Sequence, residues 1–142
     1  MATSKLNPYL NFDGNAREAM EFYKGVFGGN LNVNTFGEAH ATEDPKYTNQ
    51  IMHGQLDTDN GFTLMGSDIL PGMGSGEFKT GTNFSISLSG DNEAELRGYW
   101  DRLAVGSKIT FPLEKAPWGD TFGMLDDKFG VGWMVNIAGP KM

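Results

Sequence analysis

The sequence predicts an α+β fold in which two tandem βαβββ modules form a curved mixed sheet around a cleft, with the helices on the outer face. Two segments share the order strand, turn, helix; each helix is amphipathic; and three short extended segments follow each helix. We expect one domain over residues 1–142, with module one at about 5–68, a linker at 69–81 and module two at about 82–139.

The internal repeat is carried by the segments Leu6–Phe27 and Thr82–Leu103. They align without gaps at an offset of 76 residues, which places Leu10 opposite Ile86. The other matched pairs are Asn7 with Asn83, Phe12 with Leu88, Gly14 with Gly90, and Tyr23 with Tyr99. Chance alone rarely produces such a match, so we interpret the chain as two copies of one unit.

The helices are predicted from apolar residues at three- and four-residue spacings, the pattern of a helix that packs on a sheet. In the first helix these residues are Ala16, Ala19, Met20, Tyr23 and Phe27. Asn15 is expected to cap the first amides of this helix, and Gly28-Gly29 to end it. Asp91 or Asn92 is expected to cap the second helix.

The strands after each helix complete the two modules. They are predicted at Leu31–Phe36, Gln50–Asp57 and Phe62–Ser67, and again at Lys108–Glu114, Thr121–Asp126 and Gly132–Ala138. Because residues two apart in a strand share a face, Phe84, Ile86, Leu88 and Trp133 are expected to point into the core. The residues between them then line the cleft.

Composition excludes several classes of function. The net charge of −7, with scattered Lys and Arg, disfavours binding to nucleic acid or to an anionic membrane surface. No secretion signal or long apolar run is present, and the chain has no cysteine, so we expect a cytoplasmic protein.

Four stretches resemble a known family: PYLNFDGNAREAMEFY, LMGSD, SLSGDNEAEL and PWGDTFGMLDDKFGVGWMVN. They resemble the PhnB-like branch of the vicinal-oxygen-chelate superfamily, which includes glyoxalase I, bleomycin-resistance proteins and extradiol dioxygenases. The resemblance implies a homodimer, sometimes with modules exchanged between chains. It also implies a divalent metal held by the first and last strand of each module.

The metal positions that this resemblance implies fall on Asn7, Met65, Asn83 and Met134. Thioether sulfur suits soft metals and a carboxamide oxygen is a weak neutral donor, so we expect no metal and no cofactor. The PhnB-like branch often carries the label 3-demethylubiquinone methyltransferase-like. The sequence gives this label no support, because no glycine-rich turn follows a strand in the arrangement that binds adenosine cofactors.

The cleft is predicted to be lined mostly by amide, hydroxyl, thioether and aromatic side chains. These ligand-binding candidates are Asn7, Tyr9, Asn11, Gln55, Met65, Asn83, Ser85, Ser87, Trp118, Asp120, Phe122, Met134 and Asn136, with Met124 on the same face. Ser85 and Ser87 have no readable catalytic partners and are interpreted as polar lining. Trp118 either closes over a ligand or packs on the sheet rim, and Asp120 either accepts from the ligand or makes a turn. The glycine-rich segment from Pro71 to Gly76 is interpreted as a flap.

His53 is the candidate catalytic residue, since it is the only histidine in a predicted strand. Its plainer interpretation, a neutral ring donating one hydrogen bond in the cleft wall, is favoured over catalysis.

Three hypotheses follow from the sequence. The first is a metal-independent domain that binds a small organic molecule. The alternative is a glyoxalase-like lyase or isomerase with His53 as general base. The third is a chain whose role is self-association.

Overall fold

The protein is described by a computed structural model over residues 4–40, 42–70 and 78–139, and a boundary between two units falls between Lys79 and Thr80. Module one contains β1 (Tyr9–Phe12), α1 (Ala16–Phe27), β2 (Asn30–Thr35), β3 (Ile51–Asp57) and β4 (Thr63–Asp68). Module two contains β5 (Ile86–Gly90), α2 (Glu93–Leu103), β6 (Lys108–Lys115), β7 (Thr121–Asp126) and β8 (Gly132–Ile137). The prediction of an α+β fold with two βαβββ modules is confirmed.

Each module forms its own four-stranded sheet with the same topology. The strand order is β1-β4-β3-β2 in module one and β5-β8-β7-β6 in module two. The first strand of each module runs parallel to the last, and the remaining neighbours are antiparallel. The first and last strands are therefore adjacent in each sheet, and β2 and β6 each lie at a sheet edge.

The ladder register corrects the gapless alignment of the repeat. Leu10 lies beside Gly66 on β4, whereas Leu88 lies beside Val135 on β8. Gly66 and Val135 are equivalent, because each lies opposite the glycine of its neighbouring strand, Gly54 or Gly123. Leu10 therefore corresponds to Leu88, two residues beyond the position that the alignment gave. A shift of two residues leaves each side chain on the same face of its strand, so the predicted faces are correct although the alignment was wrong.

The core of each module lies between the sheet and its helix. Gly54 faces Met20 of α1, and Gly123 faces the indole of Trp100 in α2. The absence of a side chain at these strand positions lets the helix approach closely. Trp133 is buried at 2% exposure, as predicted.

The two helices begin in different ways. Asn92 caps α2 as predicted, since its side-chain oxygen accepts from the backbone N–H of Glu95 at 3.1 Å. The prediction that Asn15 caps α1 is wrong, because its side chain makes no capping hydrogen bond. The buried carboxylate of Asp68 replaces it, accepting from the backbone N–H groups of Ala16 and Ile51, each at 2.9 Å.

One core prediction fails. Phe84 was expected beneath a helix, yet it is 59% exposed because β5 begins only at Ile86. Ile86 is half-buried and Leu88 is buried, so inward alternation starts with the strand itself.

The segment interpreted as a flap, from Pro71 to Gly76, lies outside the described residues. Among the residues that the structure describes, no helix is both long and apolar enough to cross a membrane.

Candidate functional site

The candidate site lies on the helix-free face of module one, which we define as the sheet face opposite α1. Strand alternation brings Tyr9, His53, Gln55, Asp57 and Met65 to this face, since the positions that alternate with them are buried, at Leu10, Gly54, Leu56, Leu64 and Gly66. His53, Gln55 and Met65 are half-buried, while Tyr9 and Asp57 are exposed. Met65 lies between Tyr9 and Gln55 in the ladder.

A continuous chain of hydrogen bonds crosses this face. The Tyr9 hydroxyl lies 3.0 Å from Nδ1 of His53, and Nε2 of His53 lies 3.4 Å from Oε1 of Gln55. The Gln55 amide nitrogen donates to both carboxylate oxygens of Asp57, at 3.1 and 3.3 Å. The Thr63 hydroxyl donates to the same carboxylate at 3.0 Å. The sequence placed His53 and Gln55 on one face but gave no carboxylate partner for the histidine; the structure connects it to Asp57 through Gln55.

Sequence reasoning missed a stripe of carboxamides on β2. Asn30, Asn32 and Asn34 lie directly opposite Asp57, Gln55 and His53 in the antiparallel ladder, so each points to the helix-free face. All three are exposed. The signal was present in the alternating letters NLNVNT, in which every second residue is asparagine.

The helix-free face of module two, opposite α2, has a different chemistry. Phe122 and Met124 occupy the positions that correspond to His53 and Gln55, and Met134 is paired with Met124. Phe122 also contacts two exposed rings edge-on or tilted, with centroid distances of 6.1 Å to Trp118 and 6.5 Å to Phe111. Apolar and thioether groups thus replace the hydrogen-bond chain.

Asp120 connects the β6–β7 loop to β8. Its carboxylate accepts from the backbone N–H of Gly139 at 2.8 Å and from the Asn136 side chain at 3.0 Å. These two hydrogen bonds, the backbone one first, hold the pKa of Asp120 below its ordinary value of 3.8, against a smaller opposing effect of desolvation. Both carboxylate oxygens already have donors within the protein, which is the arrangement of a residue that stabilises a loop.

Trp118 is 65% exposed, and its ring contacts that of Phe122 edge-on at a centroid distance of 6.1 Å. It therefore remains a candidate for contact with a ligand.

The remaining candidates lie near the first strands. Asn11 and Ser87 are exposed on the helix-free faces of β1 and β5. Asn7 precedes β1, and Asn83 and Ser85 precede β5. In the ladder, the first-strand neighbour of Met65 is Tyr9, and that of Met134 is Ser87.

The residues at these positions do not fit the divalent metal that the fold implies. Each module offers one thioether beside one hydroxyl, and neither Tyr9 nor Ser87 is a strong neutral ligand for such an ion. Within residues 4–40, 42–70 and 78–139, no group of three or more His, Asp or Glu side chains could hold a metal ion. Because the donors do not fit, no chemical step is assigned to a metal in this protein.

Comparison with known proteins gives the family. The family model described as 3-demethylubiquinone-9 3-methyltransferase matches residues 4–136. The chain belongs to this family. Among solved structures, the chain is similar to protein PA1353 of Pseudomonas aeruginosa, at 36% identity and a TM-score of 0.81, with the match covering 96% of this chain and 98% of that one. The PhnB protein of Bacillus cereus is 26% identical with a TM-score of 0.73, covering 95% and 100%.

A more distant structure confirms the fold. The glyoxylase/bleomycin resistance protein/dioxygenase domain of a Frankia strain is 13% identical, with a TM-score of 0.64, over 97% of this chain and 99% of that one. Together with the family match and the PhnB protein of Bacillus cereus, this structure confirms the resemblance to the PhnB-like branch of the vicinal-oxygen-chelate fold.

The family description names a methyltransferase. The adenosine cofactor of such an enzyme usually binds to a doubly wound parallel sheet, at a glycine-rich turn between a strand and a helix. Each module here has a single parallel strand pair and one glycine at the strand-to-helix turn, Gly14 or Gly90. The description therefore indicates relationship, and no methyl-transfer step follows from it.

Proposed function

We propose that this protein binds a small organic molecule on the helix-free face of module one and that binding needs no divalent metal. The observation that carries this proposal is the connected chain Tyr9, His53, Gln55 and Asp57, flanked by the asparagines of β2. Side chains that are already hydrogen-bonded to one another are held in place, so a ligand finds an ordered set of donors and acceptors.

The charge of this face favours a neutral ligand. The four strands of module one contain neither Lys nor Arg. An anionic ligand would meet Asp57 with no cation on these four strands to offset it, whereas carboxamides offer both donors and acceptors to neutral polar groups. The proposed ligand is therefore neutral and rich in hydrogen-bonding groups.

The proposal can be tested with untagged protein. Native mass spectrometry would look for a retained organic molecule, while elemental analysis measures bound metal. A set of neutral polar fragments would then be screened by following backbone amide resonances, comparing wild type with Gln55→Met. We expect hits to shift β1, β2 and β3 resonances and to weaken in Gln55→Met.

The matched control is Asp101→Asn, which changes an exposed residue of α2. This variant should bind the fragments like wild type. A stoichiometric divalent ion held through Asn7 or Asn83, or fragment hits confined to other surfaces, would contradict the proposal.

A second function, a lyase or isomerase with His53 as general base, is favoured by one observation. Tyr9 and Gln55 hold the two ring nitrogens of His53, which orients the imidazole as a general base requires. Once a substrate is known, His53→Gln should abolish turnover and leave binding nearly intact. Retained turnover would exclude this function.

We also propose that the chain forms a homodimer. The edge strand β6 is almost fully exposed and includes Ile109 at 48% and Phe111 at 58% exposure. Exposed apolar edge strands tend to be covered by another chain. Analytical ultracentrifugation at micromolar concentration should show a dimer, and a monomer only would contradict this.

A further inference from the structure

We propose that Tyr9 is the residue that exchanges a proton with the bound ligand. Tyr9, His53, Gln55 and Asp57 form a hydrogen-bonded series that we call the relay, and Asp57 fixes the direction in which its hydrogen bonds are donated. This inference rests on the proposed binding function and assigns the roles within the same site. His53 then accepts the proton through Tyr9 and does not contact the ligand directly.

The direction of hydrogen-bond donation follows from Asp57, the last member of the relay. An ionised carboxylate only accepts hydrogen bonds, so the Gln55 amide group that faces it, at 3.1 and 3.3 Å, must be the NH₂ group. The carbonyl oxygen of Gln55 is then left facing Nε2 of His53 at 3.4 Å. A carbonyl oxygen only accepts, which places the hydrogen of neutral His53 on Nε2.

The opposite ring nitrogen is thereby fixed as an acceptor. With its hydrogen on Nε2, neutral His53 presents a lone pair at Nδ1, and the Tyr9 hydroxyl at 3.0 Å donates to it. The hydroxyl of Thr63 also donates to Asp57 and holds the carboxylate from the side of β4. Every hydrogen bond from Tyr9 through His53 and Gln55 is therefore donated toward Asp57.

This arrangement leaves Tyr9 as the group that faces the ligand. Both nitrogens of His53 are engaged and its side chain is half-buried, whereas Tyr9 is 45% exposed at the sheet edge. The Tyr9 oxygen has donated its hydrogen and can still accept one. The ligand class that this oxygen selects is a neutral molecule with an O–H or N–H group.

The proton transfer balances without another reactant. The ligand group gives its proton to the Tyr9 oxygen, while the original Tyr9 proton moves to Nδ1 of His53. The ligand keeps the electron pair of the broken bond, His53 becomes an imidazolium, and nothing is oxidised or reduced. The strand residues on either side of the ring on this face are uncharged: Asn34 lies opposite His53 on β2, and Ser67 and Met65 are the nearest residues of β4.

The direction of the relay can be measured on the full chain by ¹⁵N NMR of the imidazole, with His40 as an internal reference. In wild type, neutral His53 should carry its hydrogen on Nε2. In Gln55→Met, which introduces the residue type of module two, the acceptor for Nε2 is lost and the Nδ1–H tautomer should rise several-fold. In Tyr9→Phe, the Nδ1 resonance should move toward that of a nitrogen without a donor, with no change of tautomer.

The role of Tyr9 needs a probe, for which we choose phenol and its methyl ether anisole. Phenol offers one O–H group and anisole none, and an added hydrogen bond corresponds to about fivefold in affinity. Wild type should bind phenol about fivefold more tightly than anisole, and Tyr9→Phe should abolish the difference.

Two results would overturn the inference: a wild-type His53 with its hydrogen on Nδ1, or no difference between the two probes on wild type. Failure of the proposed function looks different. In that case His53 holds the Nε2–H tautomer, yet no neutral fragment shifts the resonances of module one.

Discussion

The two modules share one topology and differ in the chemistry of their helix-free faces. Module one presents His53 and Gln55 where module two presents Phe122 and Met124. On the opposite face, both modules place a strand glycine against a helix side chain. The shared glycine contacts on the helix-packed face accompany the shared topology, while the helix-free faces differ where we propose that a ligand binds.

The variant for which we predict the greatest loss of stability removes the carboxylate that caps α1. Asp68→Ala leaves the buried N–H groups of Ala16 and Ile51 without an acceptor, which should lower the free energy of unfolding by about 3 kcal/mol. Urea denaturation would measure the loss, and hydrogen exchange should show α1 affected more than α2. Asp101→Ala, an exposed carboxylate, is the control and should change stability little. Equal loss of protection in both helices would remove the distinction between the modules.

The second test compares equivalent glycines. A Cβ at Gly123 would lie 2.8 Å from the Trp100 ring and 2.9 Å from the Leu113 backbone, whereas one at Gly54 would lie 3.4 Å from flexible Met20. We expect Gly123→Ala to destabilise by about 2 kcal/mol and Gly54→Ala by less than about 1 kcal/mol. Thermal unfolding of the two variants decides the order, and a larger effect at Gly54 would show that the helix packing has been misjudged.

The third test compares the helix starts. Asn92→Ala removes the cap of α2 and should cost about 1 kcal/mol, while Asn15→Ala removes no capping bond and should cost a few tenths. The two variants form a matched pair measured by chemical denaturation. Similar costs would mean that Asn15 stabilises α1 in some other way.

The smallest predicted effect is the loss, at low pH, of the stability that Asp120 contributes. Because the pKa of Asp120 is lowered in the folded protein, its contribution to stability is present above its ordinary pKa of 3.8 and is lost as pH falls through the lowered value. Wild type should therefore be more stable than Asp120→Asn at pH 7, and the gap should close as the pH is lowered below the ordinary value of 3.8. A gap that persists at the acid end would show that geometry, not charge, stabilises this loop.

Much of the fold was predictable because the spacing of hydrophobic residues indicates which segments form helices and strands. The bounds of the six strands that follow the helices lay within one residue of the structure, and faces were correct wherever a strand formed. The register of the repeat was wrong by two residues at Leu10, since alternation with a period of two cannot detect an even shift. Phe84 was wrong because the alternation was extended beyond the strand.

The candidate site was less predictable. The sequence placed Tyr9, His53 and Gln55 on one face, but the link to Asp57 depends on side-chain geometry that spacing does not give. The role of Asp68 was equally hidden, because its donors lie far away along the chain. A buried carboxylate such as Asp127, which accepts from the Trp133 indole at 2.8 Å, likewise has the sequence signature of an ordinary turn.

The cap of α1 has a consequence for the order in which the chain folds. Asp68 lies 52 residues beyond its donor Ala16, whereas Asn92 reaches a donor only three residues away. During synthesis α2 can complete its first turn as soon as it emerges, but α1 must wait until the last strand of its own module has been made and docked. The helix that is translated first is thus the one whose start is completed by a distant contact, and α1 should gain exchange protection later than α2 during refolding.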